Sequence, residues 1–193
     1  MKHSNKPFLK PYYIRSIEQI VDNLIDSGNV DEAVLLYERL TKHFKGNPNY
    51  FVRFGKLQMM REKYSTALAA IEQAIAIDPD FTEAHIRYCE CYYKAGNIES
   101  AKRALSSAIR ALACSPCADP ERSQNFQNIK ELCRALGTTP LIEECLAMIE
   151  SNLPNGAAYD ALIKKVNGLS NSFNENRTST LSSRSRTSLE INS

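Results

Sequence analysis

Large apolar residues and alanines recur along this chain in a pattern that repeats every 34 residues. The alanines Ala33, Ala67 and Ala101 mark the period. Around each of them, apolar residues follow one another at intervals of three and four, which places their side chains on one face of an α-helix. The pattern therefore predicts one pair of helices that is repeated along the chain.

The first helix of each copy has an apolar face set by its fourth, seventh, eighth and eleventh positions. These positions hold Ile17, Ile20, Val21 and Leu24, then Phe51, Phe54, Gly55 and Gln58, then His85, Tyr88, Cys89 and Tyr92. The second helix carries small residues that let two backbones approach, with larger residues beside them. Its positions hold Ala33, Tyr37 and Leu40, then Ala67, Ile71 and Ala74, then Ala101, Leu105 and Ala108.

Helix-breaking residues fall where such a hairpin needs them. Gly28–Asn29 and Gly96–Asn97 separate the two helices of the first and third copies and predict a helix stop followed by an N-cap. Glu32 follows the first of these asparagines by three residues, as in a capping box. Pro79 predicts the end of the second helix of the second copy, because proline cannot continue a helix.

These positions resemble the tetratricopeptide repeat, a 34-residue helix-turn-helix unit with small and aromatic residues at fixed places. The best match lies in residues 47–79, from Asn-Pro-Asn-Tyr-Phe to Ala-Ile-Asp-Pro. The resemblance implies an all-α fold, a right-handed α-solenoid of antiparallel helix hairpins. Its three clear units are residues 14–47, 48–81 and 82–115, preceded by an N-terminal arm at residues 1–13.

A degenerate fourth unit, residues 123–156, is recovered if Pro116–Arg122 is treated as an insertion. The family's marked places then hold Phe126, Ile129, Cys133, Gly137, Ile142, Leu146, Ile149 and Pro154. Lys130 and Ile142 depart from the family pattern. The apolar residues Ala158, Leu162 and Val166 are spaced by four, which predicts a capping helix over residues 157–169. Lys164 and Lys165 would lie on the solvent-exposed face of this helix.

The composition changes at Ser170, after which Ser, Thr, Asn and Arg dominate. A segment this poor in apolar residues buries too little surface to offset its chain entropy, so residues 170–193 are predicted to be disordered. Arg177, Arg184 and Arg186 lie among hydroxyl residues and would suit a basophilic kinase. A solubilising tail without regulation is the alternative.

The charge of the chain is nearly balanced, with 24 basic and 22 acidic residues among 193. No general attraction to nucleic acid or anionic lipid follows from it. Residues 1–11 contain no apolar run of the length a signal peptide needs, and no run of about 18 apolar residues occurs. We therefore expect a soluble, cytoplasmic protein with no membrane span.

Cysteine is the one residue type that suggests a metal or redox role. Cys114 and Cys117 have the CxxC spacing of redox motifs and of half of many zinc sites. However, no strand pattern precedes the motif, and a zinc site needs two further ligands. Cys89 and Cys133 occupy core places, so incidental cysteines are favoured over a metal or redox site.

Catalytic motifs are absent from the sequence. It contains no nucleophile elbow, phosphate loop or metal-ligand helix motif, and His85 occupies a core place. The side chains of adjacent acidic residues such as Glu143 and Glu144 point in different directions on a helix, so they do not converge on a substrate. We expect no enzymatic activity and no cofactor.

The first helices are expected to line the concave groove of the solenoid. The resemblance assigns places 2, 5, 6, 9, 12 and 13 of each first helix to the groove, and helical spacing independently puts places 5, 9 and 12 on one stripe. The stripe holds Glu18, Asp22, Ile25, Val52, Lys56, Met59, Ile86, Glu90 and Tyr93, and its borders hold Arg15, Asp26, Arg53, Met60, Arg87 and Lys94.

Two kinds of contact are expected in this groove. Its apolar members are candidates to receive apolar side chains of a bound segment, with packing against the neighbouring hairpin as the alternative, above all for Val52 and Ile86. Glu18, Asp22 and Asp26 suggest a ligand that is basic near the first unit.

One partner class is excluded by the same places. Family members that grip the C-terminal carboxylate of Hsp70 or Hsp90 use Lys and Asn at places 5 and 9 of one repeat, where this chain has Glu18 and Asp22. Of the remaining clamp places, held by Arg53, Glu83 and Arg87, only Arg87 fits. We therefore expect no carboxylate-clamp ligand.

These features favour a non-enzymatic adaptor that holds a protein segment in its groove. The alternative is a dedicated chaperone for a secreted or assembling substrate, similar to the repeat chaperones of type III secretion. A cysteine-based metal or redox protein is a third hypothesis. Self-association through Tyr12, Tyr13 and Ile14 is also possible.

Overall fold

The computed structural model describes residues 11–115, 121–137, 140–150 and 160–168; side chains are described from Ser16 onward within these ranges, except for residue 141. The described residues are helices and the short turns between them, and they contain no strand. The helices are α1 (Pro11–Asp26), α2 (Val30–His43), α3 (Pro48–Met60), α4 (Tyr64–Ile77), α5 (Thr82–Lys94), α6 (Ile98–Cys114), α7 (Arg122–Leu136), α8 (Pro140–Glu150) and α9 (residues 160–168).

Turns with a positive φ end the first helix of three hairpins. Gly28, Gly96 and Gly137 have φ of 79°, 77° and 78° and follow α1, α5 and α7. This is the left-handed conformation in which glycine ends helices. The stops predicted at Gly28 and Gly96 are confirmed. The second hairpin uses Glu62 at the equivalent place, with φ of 58°, although a side chain is disfavoured there.

The two predicted asparagine caps behave differently. The side chain of Asn97 accepts a hydrogen bond from the backbone N–H of Ser100 at 3.1 Å and caps α6. The side chain of Asn29 makes no cap bond to α2, and its Nδ2 donates to Ser27 Oγ at 3.3 Å. The capping box predicted for Asn29 and Glu32 is therefore wrong, because the asparagine side chain is engaged in the preceding turn.

Consecutive hairpins stack so that the first helices form one wall. Helix α3 contacts α5, and α5 contacts α7, while each second helix contacts the first helix of the next hairpin. An ion pair between Glu18 and Arg53 joins α1 to α3. The chain is thus an all-α solenoid in which α1, α3, α5 and α7 form one wall, which we call the inner wall.

Small residues at the predicted places set the distance between the helices of a hairpin. Ala33, Ala67 and Ala101 are completely buried. A Cβ added to Gly55 would lie 2.7 Å from Ile71 Cγ1, so α3 and α4 approach at a point where only glycine fits without adjustment. The core consists of three apolar clusters that follow one another along the stack.

The apolar residues predicted for the fourth unit and the cap belong to that core. Phe126, Ile129, Cys133, Ile142, Leu146 and Ile149 are buried in one cluster with Leu162 and Val166 of α9. Lys165 of α9 forms an ion pair with Glu144 of α8 rather than facing water alone. Lys130, which departs from the repeat pattern, holds its ammonium 5.3 Å from the Phe126 ring centroid.

Arg122 differs from its predicted place in an insertion. It is the first residue of α7, and its Nη1 donates to the carbonyl oxygens of Leu112 and Ser115 at 2.5 and 2.6 Å. It therefore ties the end of α6 to the start of α7. Residues 116–120 of that insertion lie outside the described residues, as do Cys117, Pro154, Ala158, the arm at 1–10 and the tail at 170–193.

Candidate partner-binding groove

The structure distributes the predicted groove residues over three levels of exposure. Asp22, Asp26, Lys56, Met60, Tyr93 and Lys94 are exposed. Glu18, Ile25, Arg53, Arg87 and Glu90 are half-buried. Val52, Met59 and Ile86 are buried. The side chain of Arg15 lies outside the described residues.

Val52, Met59 and Ile86 are therefore not open to a ligand, and their prediction as exposed groove residues is wrong. Their exposed fractions are 1%, 4% and 1%. Val52 and Met59 pack in one apolar cluster with residues of α4 and α5, and Ile86 packs in the cluster shared with α6 and α7. The stacking of consecutive first helices covers these positions, which is the alternative that the sequence left open for Val52 and Ile86.

Charged side chains on the inner wall form a series of ion pairs. Arg53 Nη2 lies 3.2 Å from Glu18 Oε1, which links α3 to α1. On α5, Arg87 pairs with Glu83 at 3.5 Å and with Glu90 at 2.9 Å, and Lys94 pairs with Glu90 at 2.9 Å. Glu83 was not predicted as part of this network, although its (i, i+4) spacing to Arg87 is typical of a helical ion pair.

The α5 network fixes Glu90 in its charged form. Burial alone would raise the pKa of this carboxyl, but hydrogen bonds from Arg87 and Lys94 outweigh burial and lower the pKa below its ordinary value. Glu90 is thus committed to its two cationic neighbours and is not free to pair with a ligand.

Lys56 differs from the other cations of the wall. Within the described part of the chain it has no carboxylate within ion-pairing distance, whereas Arg53, Arg87 and Lys94 each have one. Partial burial lowers the pKa of the Lys56 ammonium, and the nearby guanidinium groups of Arg87 and Arg53 lower it further, against Glu83 and Glu90. Lys56 is therefore a cation of this wall that no described carboxylate pairs with directly.

A separate cavity of about 390 Å³ lies on another face of the solenoid, between α4, α5 and α6. Its polar groups satisfy one another: Tyr88 Oη donates to Glu72 Oε1 at 2.8 Å, and His85 Nε2 donates to the carbonyl oxygen of Pro79 at 2.8 Å. Burial lowers the pKa of His85, and the hydrogen bond to Pro79 opposes this shift without cancelling it. His85 is thus the packed core residue that the sequence predicted.

The described cysteines divide into four buried residues and one exposed residue. Cys89, Cys91, Cys133 and Cys145 are buried, and burial raises the pKa of the first three thiols to about 12, 11 and 11. Such thiols are poor nucleophiles and poor metal ligands. Cys114 is exposed.

The described ranges contain no group of three or more His, Cys, Asp or Glu residues placed to hold a metal ion. Cys117 lies outside these ranges, so the structure leaves the CxxC hypothesis untested.

None of the helices in the described ranges combines the length and apolar character needed to cross a bilayer.

Sequence comparison connects the chain to one repeat family. The family model for the tetratricopeptide repeat matches residues 58–113. The TPR repeat-containing thioredoxin TTL4 of Arabidopsis thaliana is 23% identical over 157 residues, which is 81% of this chain and 23% of that protein. The chain therefore spans about a quarter of the length of this relative.

Solved structures share the fold at low sequence identity. Similar structures include PcrH in complex with the chaperone binding region of PopD, at 17% identity and a TM-score of 0.52 over 65% of this chain and 95% of that chain. The Yersinia enterocolitica type III secretion chaperone SycD in complex with a peptide of the translocator YopD is 15% identical, with a TM-score of 0.54 over 66% and 94%.

The first TPR of Spaghetti (RPAP3) bound to an HSP90 peptide is also 15% identical, with a TM-score of 0.50 over 67% and 100%. At these identities the similarity concerns the fold. Taken with the family match, it shows that the chain has an all-α repeat fold and that residues 58–113 match the tetratricopeptide repeat.

Proposed function

We propose that this protein is a non-enzymatic adaptor that binds an extended segment of a partner protein along the inner wall of α1, α3 and α5. The observation that carries the proposal is the ion-pair network of this wall, which leaves Lys56, beside Arg53 and Arg87, without a directly paired carboxylate among the described residues. A carboxylate of a bound segment would supply the missing charge. The bound segment is thus acidic at the level of α3.

An apolar contact lies one helical turn from Lys56. Met60 follows Lys56 by four residues and is exposed, and Tyr93 is exposed near the end of the neighbouring helix α5. One turn of helix rises about 5.4 Å, while alternate residues of an extended peptide lie about 6.6 Å apart. An acidic residue followed two positions later by an apolar residue would therefore contact both sites.

The acidic residues of α1, at one end of the wall, are proposed to bind a second part of the partner segment. Glu18 is already paired with Arg53, but Asp22 and Asp26 are exposed and have no ion pair among the described residues. A basic residue of the partner segment would suit this end. A C-terminal carboxylate would meet Glu18 and Asp22 instead of a cation and an amide, so Hsp70 and Hsp90 tails are not the proposed ligands.

Selection from a random peptide library displayed on phage tests the proposal directly. We expect the native chain to enrich peptides with an acidic residue two positions before an apolar one. A parallel selection with the Lys56→Ala variant should lose the acidic preference, whereas Lys63→Ala, at an exposed lysine outside the wall, should keep it. Failure to enrich such peptides, or an equal enrichment by Lys56→Ala, would contradict the proposed ligand chemistry.

A dedicated chaperone for a secreted or assembling protein is the second candidate. It is supported by the similar fold of PcrH and SycD, whose structures contain the chaperone binding region of PopD and a peptide of the translocator YopD. A chaperone keeps an aggregation-prone client soluble and then releases it, whereas an adaptor stays in a stoichiometric complex. Light scattering of a purified partner with and without this protein separates the two, since only a chaperone suppresses aggregation and then dissociates.

The absence of catalysis and a cytoplasmic location belong to the same proposal. The absence of catalysis rests on the sequence, in which no catalytic motif occurs. Fractionation of cells that express the tagged chain tests the location.

A further inference from the structure

The first hairpin has an end face that is equivalent, by repeat position, to a surface of the third hairpin that faces the preceding hairpin. The cavity beside α4 is lined by Tyr88 of α5 and by Arg103 and Ala104 of α6. Residues 68 positions earlier are Ile20 of α1 and Leu35 and Leu36 of α2. In the third hairpin, these places face the preceding hairpin, but the described residues include no hairpin before α1.

This end face is apolar and open. Ile20 is 51% exposed and Leu35 is 54% exposed, and they are the two most exposed large apolar residues of the described chain. Ile20 was predicted as a core residue, and that prediction is wrong. Its counterparts Phe54 and Tyr88 are partly buried and pack against the hairpin before them, and Ile20 has no such hairpin among the described residues.

The charges that flank the apolar residues of α2 are arranged symmetrically. Glu32 precedes Leu35 by three residues, and Arg39 follows Leu36 by three, so the four side chains share one face of the helix. Glu32 and Arg39 are exposed, and neither has an ion pair within the described part of the chain. The centre of this face, which we call the α2 strip, lies between Leu35 and Leu36.

We propose that two copies of this chain pair through the α2 strip about a twofold axis at its centre. An antiparallel arrangement brings Glu32 of one copy opposite the partner's Arg39, and Arg39 opposite the partner's Glu32. The apolar residues then meet across the axis, with Ile20 extending the contact. A second copy is the occupant that this pattern specifies, because an isologous interface must be complementary to itself.

Reversal of single charges tests the proposed pairing. Glu32→Arg leaves two cations on the strip and Arg39→Glu leaves two anions, so each variant alone should raise the Kd of the dimer at least about tenfold. A mixture of the two variants should form a heterodimer, and the double variant should dimerise like the native chain. Sedimentation velocity over a concentration series measures all four, with circular dichroism to show that each variant is folded.

Matched controls separate the strip from other surfaces. Glu131→Arg reverses an exposed charge on α7 and should leave the dimer unchanged. Leu35→Ser should weaken the dimer, whereas Ile98→Ser, at another exposed apolar residue, should not. The proposal is overturned if the native chain stays monomeric at every concentration, as it would if residues 1–10 or a different protein covered the face. It is also overturned if the mixed variants fail to pair.

Discussion

Arg53 of α3 reaches Glu18 of α1, with Nη2 at 3.2 Å from Oε1, and this ion pair removes Arg53 from the cations available to a ligand. Both side chains are more than a third exposed, so the pair contributes little to stability. Its effect on recognition is larger, since it leaves Lys56 as a cation at the level of α3 that no described carboxylate pairs with directly.

Glu18→Gln should therefore tighten binding of an acidic peptide recovered from the library. The variant frees the Arg53 guanidinium to join Lys56, and we expect a several-fold lower Kd with a change in unfolding free energy of no more than about 0.5 kcal/mol. Fluorescence anisotropy with the labelled peptide measures the affinity. Glu38→Gln breaks an exposed ion pair with Lys42 on α2 and serves as the control, which should bind like the native chain.

Gly55→Ala should destabilise the fold. The added Cβ would lie 2.7 Å from Ile71 Cγ1 and 3.3 Å from the carbonyl oxygen of Ala67, so α3 and α4 must separate or Ile71 must leave its position. Overpacking of this kind costs about 1–3 kcal/mol. Urea denaturation measures it, and Gly46→Ala is the control, because a Cβ at Gly46 meets no atom within 4 Å. Equal stability of both variants would contradict the close approach.

Glu62→Gly should stabilise the chain. Glu62 occupies the turn with φ of 58°, where Gly28 and Gly96 serve the neighbouring hairpins. Removing the side chain relieves the strain of the left-handed backbone, which stabilises the folded state by about 1–2 kcal/mol. The greater conformational entropy of glycine in the unfolded chain opposes this gain by about 0.5–1 kcal/mol. We expect a net gain of up to about 1 kcal/mol by urea denaturation. In contrast, Ala69→Gly at an exposed position within α4 should lose about 1 kcal/mol, and a loss in both variants would show that Glu62 is not strained.

His85 should make stability fall with acidification. Burial lowers its pKa below the ordinary value of 6.5, so the unfolded chain takes up a proton near that pH before the folded chain does. Stability is thus fully present above pH 6.5 and declines as the pH falls toward the folded-state pKa.

Thermal denaturation between pH 7.5 and 5 measures this decline. His85→Gln keeps a donor for the Pro79 carbonyl oxygen but does not titrate, and its stability should depend less on pH than that of the native chain. His43 is exposed, and His43→Gln should retain the native dependence. A steeper decline in His85→Gln would contradict the assigned cause.

The sequence predicted the helices because each local signal can be recognised without knowledge of the neighbours. The 34-residue period placed Ala33, Ala67 and Ala101 in the core, and glycine at positions 28 and 96 ended helices through its freedom at positive φ. The positive φ of Glu62 was not predicted, because glutamate disfavours this conformation and only the turn of the second hairpin imposes it.

The groove was predicted only in part, because periodicity assigns a residue to a face of its helix but not to what covers that face. Lys56, Met60 and Tyr93 remained open, whereas Val52, Met59 and Ile86 occupy equally suitable places and are covered by neighbouring helices. The error at Ile20 is the opposite one: its repeat position predicted a buried residue, but it is exposed because no described hairpin packs against it.

The sequence by itself determined the 34-residue repeat, the helix pairs and the residues that share each helical face, because spacing along one chain is enough to define helical faces. Only the tertiary structure decided which charges of the inner wall are already paired. Arg53 is bound to Glu18, 35 residues away, while Lys56 has no such partner, and that difference depends on how two hairpins stack in space.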